Sequence, residues 1–284
     1  MRWTRAPAKV NLTLRVLGLR PDGYHEVESL VAFAGISDWL GFEPGADLGM
    51  EVEGTHAGDA GPVDDNLVLR AARSLSARVP GLTLGRFRLA KRLPTAAGLG
   101  GGSADAAAAL RILAQVNGLA VTDERIQKAA AATGADAPVC LESRAREMTG
   151  VGDRLGSLLR LPPLFVVLAN PRVPAPTSTV FKAYDAEPKA PGTSGPGFDP
   201  EATVSCEAIA ASSNDLEGAA RTIAPVIGDV IEALSQLPGA RLARMSGSGA
   251  TCFALFDDPE PAAAGALKIL AEHPEWWVTA TAVR

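Results

Sequence analysis

Leu93-Pro94-Thr95-Ala96-Ala97-Gly98-Leu99-Gly100-Gly101-Gly102-Ser103-Ala104-Asp105 is the stretch on which the reading of the chain turns. Before it, Arg86 to Lys91 alternates like a strand. After it, Ala104 to Val116 is almost unbroken Ala, Leu and Ile, with no Gly or Pro. The order is therefore strand, glycine-rich turn, helix. Four of the five residues from Gly98 to Gly102 are glycine, which clears side chains from backbone that must bend closely around something. Ser103 is placed to cap the helix. Successive N–H groups that open onto a helix N-terminus make an anion site, so a phosphate cradle is expected over residues 94–103. A tight turn without a ligand and a cradle for a different cofactor both stay open at this point. No Gly-Lys-Ser/Thr follows the glycines, which sets the loop apart from the usual nucleotide P-loop. A dinucleotide fingerprint wants an acidic strand end about 20 residues on, and Asp123-Glu124 reads instead as the first turn of a further helix.

The 284 residues are enough for two domains, and 47% hydrophobic with 21% charged residues is an ordinary globular composition. Lys and Arg number 27 against 32 Asp and Glu, so no basic field argues for nucleic acid. Aromatic residues are only 5%, which weakens a stacking platform for single strands. Cys140, Cys206 and Cys252 are widely spaced and odd in number, giving neither a disulfide framework nor a zinc signature. No apolar leader opens the chain, and no run approaches the ~18 apolar residues of a membrane span. A cytoplasmic protein with no membrane partner is the expectation.

Along the chain, residues 6–16 alternate as one half-buried strand whose polar face carries Lys9, Asn11 and Thr13. Pro21-Asp22-Gly23 marks a turn, followed by Tyr24-His25 and a strand through Val27 to Phe33. Short antiparallel strands and loops are expected over residues 36–62. Asp65 or Asn66 caps a helix with apolar residues on one face. Another helix starts near Thr122 and stops at Thr133-Gly134, and Asp136 follows among small residues. A lone Asp in that setting is usually a cap or turn former, and less often a positioned carboxylate. A hairpin or linker over 143–160 puts a boundary near residue 155, dividing the chain into 1–155 and 156–284. The second half reads as a strand at 164–169, an ordered loop at 170–179, a short helix with Phe181 and Tyr184, and a mobile surface loop at 188–200. A helical stretch from Ser213 follows, divided at Pro225. Ser246-Gly247-Ser248-Gly249 is a second glycine-rich turn, before a strand, a helix over 260–272 and a closing strand. This half suits an α+β sandwich.

Lys9, the phosphate-type loop, the isolated Asp136 and the second Gly/Ser loop share one economical explanation. Phosphoryl transfer needs amides around phosphates, a cation near developing charge, and a carboxylate facing the acceptor hydroxyl. Residues 94–105 resemble the central motif of the GHMP kinases, the galactokinase, homoserine, mevalonate and phosphomevalonate kinase family. Pro7-Ala8-Lys9-Val10-Asn11, Asp22-Gly23-Tyr24-His25, Asp65-Asn66-Leu67, Thr133-Gly134-Ala135-Asp136, Pro176-Thr177, Ser213-Asn214-Asp215 and Ser246-Gly247-Ser248-Gly249 match further blocks in order. The likeness covers nearly the whole chain. The Asp-Gly-Tyr-His block points to the branch that acts on a cytidylated methylerythritol.

The resemblance implies a two-domain α+β GHMP kinase fold. Its N-terminal domain would be of the ribosomal-protein-S5-domain-2-like type, followed by a C-terminal GHMP domain, a ferredoxin-like α/β sandwich, with the active site between them. It implies transfer of the ATP γ-phosphate to the 2-hydroxyl of 4-diphosphocytidyl-2-C-methyl-D-erythritol, in non-mevalonate isoprenoid precursor synthesis. Asp136 would be the general base and Lys9 would stabilise charge on the acceptor oxygen. Pro94, Ala96, Ala97, Gly98 and Leu99, with Gly100, Gly101, Gly102 and Ser103, would wrap the ATP phosphates, and Asn66 would touch the nucleotide. Tyr24, His25 and Phe181 would hold the cytosine end of the small-molecule substrate, while Asn11, Thr177, Ser248 and Gly249 line the rest of its site. Mg2+ would sit on the phosphates without a dedicated protein cage, Ser103 being the nearest candidate hydroxyl. A monomer or a homodimer is compatible with the chain. A homoserine- or mevalonate-type kinase and a non-catalytic nucleotide-binding protein remain the alternatives. The chain departs from the pattern at Glu142-Ser143-Arg144-Ala145-Arg146, and in Asp153 where Glu is usual; neither removes a group with a chemical role.

Overall fold

A computed structural model describes residues 1–187 and 197–284. In chain order its elements are β1 (Arg2–Asn11), β2 (Arg15–Leu19), β3 (His25–Pro44), β4 (Gly49–Glu53), α1 (Leu67–Ser76), β5 (Gly85–Ala90), α2 (Gly101–Val116), α3 (Glu124–Thr133) and α4 (Ala137–Glu142). Then come β6 (Arg146–Gly150), β7 (Arg154–Leu158), β8 (Leu164–Asn170), α5 (Thr177–Ala186), α6 (Cys206–Ala210), α7 (Glu217–Ile223), α8 (Val226–Ser235), β9 (Leu242–Met245), β10 (Cys252–Phe256), α9 (Pro259–Glu272) and β11 (Trp277–Val283). The chain does not divide at one cut near residue 155. One compact unit comprises residues 1–9, 36–95 and 100–143, and the other residues 10–35, 96–99 and 144–284. Each unit draws on distant parts of the chain because β1, β3 and the glycine loop each contribute to both.

In the first unit the end of β3 pairs antiparallel with β5, from Trp39 opposite Ala90 to Pro44 opposite Gly85, and β4 runs parallel to β5. Helix α2 packs against α1, α3 and α4. Its run of Ala106 to Ala109 is fully buried; the small side chains let three neighbouring helices approach. Asn66 Oδ1 accepts the Val68 N–H at 3.0 Å, as the capping pattern predicts, and Asp123, expected inside the first turn of its helix, instead caps α3 by accepting the Arg125 N–H at 2.9 Å. Ser103 does not cap α2. Gly100, at φ 61°, is the residue that turns the chain into the helix, and the Ala104 N–H donates to its carbonyl at 2.8 Å. The left-handed glycine starts the helix early and leaves Ser103 inside its first turn.

In the second unit β8 lies between β10 and β11, antiparallel to both, and β9 flanks β10. The first half of β3 pairs with β2 and β6, and β6 with β7. Helices α7 and α8 bury Leu216, Ile227, Val230 and Leu234 against Val167, Ala169 and Phe256 of the sheet. The expected single strand over 6–16 breaks after Asn11. The Leu12 N–H donates to the Leu30 carbonyl, Thr13 Oγ1 accepts the Leu30 N–H at 2.9 Å, and Arg244 donates to the Leu12 carbonyl at 2.9 Å. The buried break is therefore fully partnered. Residues 36–44 continue β3 rather than forming separate strands. Helix α5 begins at Thr177, which shortens the expected loop, and α6 is additional. Residues 188–196 of the expected surface loop lie outside the described residues. No helix among the described residues is long and apolar enough to cross a membrane.

Candidate active site

Strand β1 carries Lys9, which is buried. Its Nζ meets Asp136 Oδ1 at 2.8 Å, and the Asp136 side chain retains 32% exposure. Asp136 stands at the N-cap of α4 but makes no side-chain capping bond there. Pro138 in the first turn costs that helix no hydrogen bond, and the carboxylate is left for Lys9. Gly100 closes on the same pair. A Cβ at that position would lie 3.3 Å from Lys9 Cβ and Cε and 3.7 Å from Asp136 Oδ2. The open carboxylate, the buried ammonium and loop backbone are thus brought together at one point. Such an arrangement suits proton acceptance from a hydroxyl and stabilisation of developing negative charge.

A second lysine–aspartate group sits under the other side of the loop, and no sequence reading anticipated it. Lys91, just after β5, donates to Asp38 Oδ2 at 2.5 Å and to Asp105 Oδ2 at 2.8 Å, with all three side chains buried. Asp38 Oδ1 accepts the N–H groups of Arg92 and Leu93, the latter at 2.8 Å. Burial pushes the Asp105 carboxyl up to about 7, opposed by the Lys91 charge and reinforced by that of Asp38. Burial alone would lower Lys91, but Asp105 and Asp38 outweigh it and raise it. Two carboxylates face one ammonium, so protonating Asp105 relieves the surplus negative charge. A charged residue inside the alanine run of α2 was the one available signal. Its two partners lie 14 and 67 residues before Asp105 in the sequence.

In the second unit the Gly/Ser loop receives residues 96–99. Ser246 Oγ accepts the Asn11 N–H at 3.0 Å and donates to the Gly98 carbonyl at 3.3 Å, while the Thr251 N–H donates to the Ala97 carbonyl at 3.2 Å. A Cβ on Gly98, at φ 74°, would stand 2.7 Å from the carbonyl oxygens of Ser246 and Gly249. The glycine is required by this backbone-to-backbone approach. Asn214, whose block was matched without a role, donates to the Met245 and Gly247 carbonyls at 2.8 Å and so shapes the loop. Asn11 Nδ2 donates to Ser29 Oγ at 2.7 Å. Thr177 Oγ1 and Ser248 Oγ lie 2.9 Å apart.

His25 and Phe181 stack on each other, with ring centroids 4.5 Å apart and planes 20° from parallel. His25 Nε2 also meets Asp185 Oδ1 at 2.8 Å. Tyr24, expected beside them, is 66% exposed. Asn66 caps α1, and the next residue, Leu67, lies 3.2 Å from where a Gly102 Cβ would be. Burial pushes the Cys140 thiol up to about 12, so it is no nucleophile. Among the described residues no cluster of three or more His, Cys, Asp or Glu side chains is arranged to hold a metal ion.

Residues 66–144 match the GHMP kinases N terminal domain model and residues 204–275 the GHMP kinases C terminal model. A 4-diphosphocytidyl-2-C-methyl-D-erythritol kinase of Methylobacterium radiotolerans is 56% identical over 99% of this chain and 98% of its own. The protein of the same name from Xanthobacter autotrophicus is 55% identical over 99% and 98%. A crystal structure of a 4-(cytidine 5'-diphospho)-2C-methyl-D-erythritol kinase superposes with a TM-score of 0.80 at 35% identity, covering 99% of both chains. A homoserine kinase from Cytophaga hutchinsonii shares the fold at 19% identity, with a TM-score of 0.67 over 98% of this chain and 93% of its own.

Proposed function

The chain belongs to the GHMP kinases and, within them, to the 4-diphosphocytidyl-2-C-methyl-D-erythritol kinase family; from that premise we propose how its residues carry out the reaction. The enzyme transfers the γ-phosphate of ATP to the 2-hydroxyl of 4-diphosphocytidyl-2-C-methyl-D-erythritol, giving the 2-phosphate and ADP in non-mevalonate isoprenoid precursor synthesis. The observation that carries the assignment of roles is the Lys9–Asp136 pair, 2.8 Å apart beside the left-handed Gly100.

A tertiary alcohol is far too weak an acid to ionise before attack. Asp136 therefore accepts its proton as the new P–O bond forms, and positioning and electrostatics supply most of the rate. Lys9 stabilises the charge that develops on the acceptor oxygen and orients the carboxylate. The backbone of Ala96, Ala97, Gly98, Leu99, Gly100, Gly101, Gly102 and Ser103, with Pro94 leading in, cradles the phosphates, and Asn66 borders the nucleoside. Asn11, Thr177, Ser248 and Gly249 position the substrate, while Tyr24, His25 and Phe181 receive its cytosine end. The donor set suits Mg2+, which takes most of its ligands from phosphate oxygens and water and needs one or two protein oxygens. Ser103 is the candidate hydroxyl, and the ion would neutralise the phosphate charge.

Turnover of 4-diphosphocytidyl-2-C-methyl-D-erythritol, measured beside homoserine, mevalonate and galactose with ATP and Mg2+, tests this function. Clear phosphorylation of the first alone is expected. Turnover of another acceptor without it would overturn the assignment.

A further inference from the structure

Three residues of α5 converge on one imidazole. Phe181, Tyr184 and Asp185 are spaced i, i+3 and i+4, so they share one face of the helix. Phe181 stacks on His25, and Tyr184 meets the ring edge-on with centroids 6.3 Å apart at 90°. Asp185 Oδ1 lies 2.8 Å from Nε2, with the His25 side chain 8% exposed and that of Asp185 46%. The ring sits at the start of β3, where His25 pairs with Leu19 across the turn. That turn is closed by the Gly23 N–H on the Arg20 carbonyl at 3.0 Å and by Arg20 gripping Asp22 and Glu26. Turning the imidazole over would take Nε2 away from its carboxylate.

An ionised carboxylate only accepts hydrogen bonds, so the Nε2 atom facing it carries a proton. In a neutral imidazole the other nitrogen then offers a lone pair. Nδ1 has no hydrogen-bond partner among the described residues and is not one of their fully buried unpaired atoms, so it keeps access to solvent. We propose that Asp185 is a positioning residue that sets base specificity: by holding His25 in the Nε2–H tautomer it makes Nδ1 an acceptor. That acceptor is matched to the exocyclic amino group of cytosine and mismatched to the carbonyl at the same position of uracil. The proposal rests on the reading above, in which His25 receives the base of the cytidylated substrate. It adds a selection the stacking residues cannot make, because both bases present the same flat face. A site built around one hydrogen bond rejects an analogue that cannot make it, since the site's own polar group is left unpaired.

Long-range 1H–15N spectra of the full-length protein at pH 8 report the tautomer directly. The chain has only three histidines, and His25→Gln assigns the signal. His25 is expected as Nε2–H in the native protein, as a tautomer mixture in Asp185→Ala, and again as Nε2–H in Asp185→Asn, whose side-chain carbonyl still accepts. In steady-state assays Asp185→Ala is expected to raise KM for the cytidylated substrate about tenfold, with kcat changing less, and Asp185→Asn to recover most of that loss. The preference in kcat/KM for the cytidylated substrate over its uridylated analogue should fall about tenfold or more in Asp185→Ala. A native His25 in the Nδ1–H form, or an unchanged cytidine-to-uridine preference in Asp185→Ala, would overturn the proposal. Failure of the underlying reading shows differently, as native enzyme that does not phosphorylate the cytidylated substrate.

Discussion

Lys9 and Lys91 each hold an aspartate oxygen at 2.8 Å, and both ammonium groups are buried. What separates them is the aspartate. Asp136 keeps 32% of its side chain exposed and faces one lysine, whereas Asp38 and Asp105 are shut away and share one. The open pair can meet a substrate hydroxyl. The closed group can only hold its own surroundings, joining β3, the segment after β5 and α2 beneath the glycine loop. Breaking the closed group leaves buried charge without compensation, whereas in the Lys9–Asp136 pair the carboxylate is open to water and only the ammonium is buried. The two sites should therefore fail in different measurements, one in turnover and the other in stability.

The largest separation is expected from Asp136→Asn, whose amide oxygen still accepts from the buried Lys9 ammonium. It should lower kcat by roughly 10²–10⁴-fold while ATP binding, followed by calorimetry, and the melting temperature stay near native. A kcat close to native would remove Asp136 from its role as base. Lys91→Met should show the opposite pattern, losing about 3–5 kcal/mol of stability in urea unfolding, because Asp38 and Asp105 lose their shared counter-charge. If Lys91→Met were as stable as the native enzyme and lost only kcat, the contrast between the two lysines would collapse.

A smaller effect follows from the Asp105 carboxyl, pushed up to about 7 in the folded protein and ordinary, near 3.9, in the unfolded chain. Below about pH 4 both states hold the proton, and above about pH 7 neither does. Between those values the native state keeps it and the unfolded chain releases it. This group therefore makes stability fall as pH rises through that window, by roughly 2–4 kcal/mol. Asp105→Asn should flatten that part of the stability–pH curve, and an unaltered slope would show that Asp105 is not the titrating group. The smallest effect serves as a calibration away from both lysines. Asn66→Ala removes the cap on α1 and should cost about 1 kcal/mol, read from the shift of the urea midpoint.

The glycine loop and most of the helices were legible because their signals are local, whereas the roles expected of Lys9 and Asp136 came from the family resemblance. Glycine spacing, cap residues and alternating hydrophobicity act over a few neighbours. Ser103 was misplaced as a cap because the left-handed conformation of Gly100, three residues ahead of the expected cap, was not readable from a run of three glycines. The break in the strand after Asn11 was also hidden, since Arg244 supplies the partner for the Leu12 carbonyl from more than 200 residues away. The make-up of the compact units was hidden for the same reason, as they gather strands from distant parts of the chain.

By itself, then, the sequence determined the strand, glycine-rich turn and helix around residues 94–103, because short-range periodicity and glycine spacing encode these, and its resemblance to the GHMP kinases carried the two-domain α+β kinase assignment. Tertiary structure alone decided which lysine faces an open aspartate and which is locked between two buried ones. It also put Asp185 on the His25 ring. Burial and long-range approach set the charge state and accessibility of a side chain, and neither is written in the residues beside it.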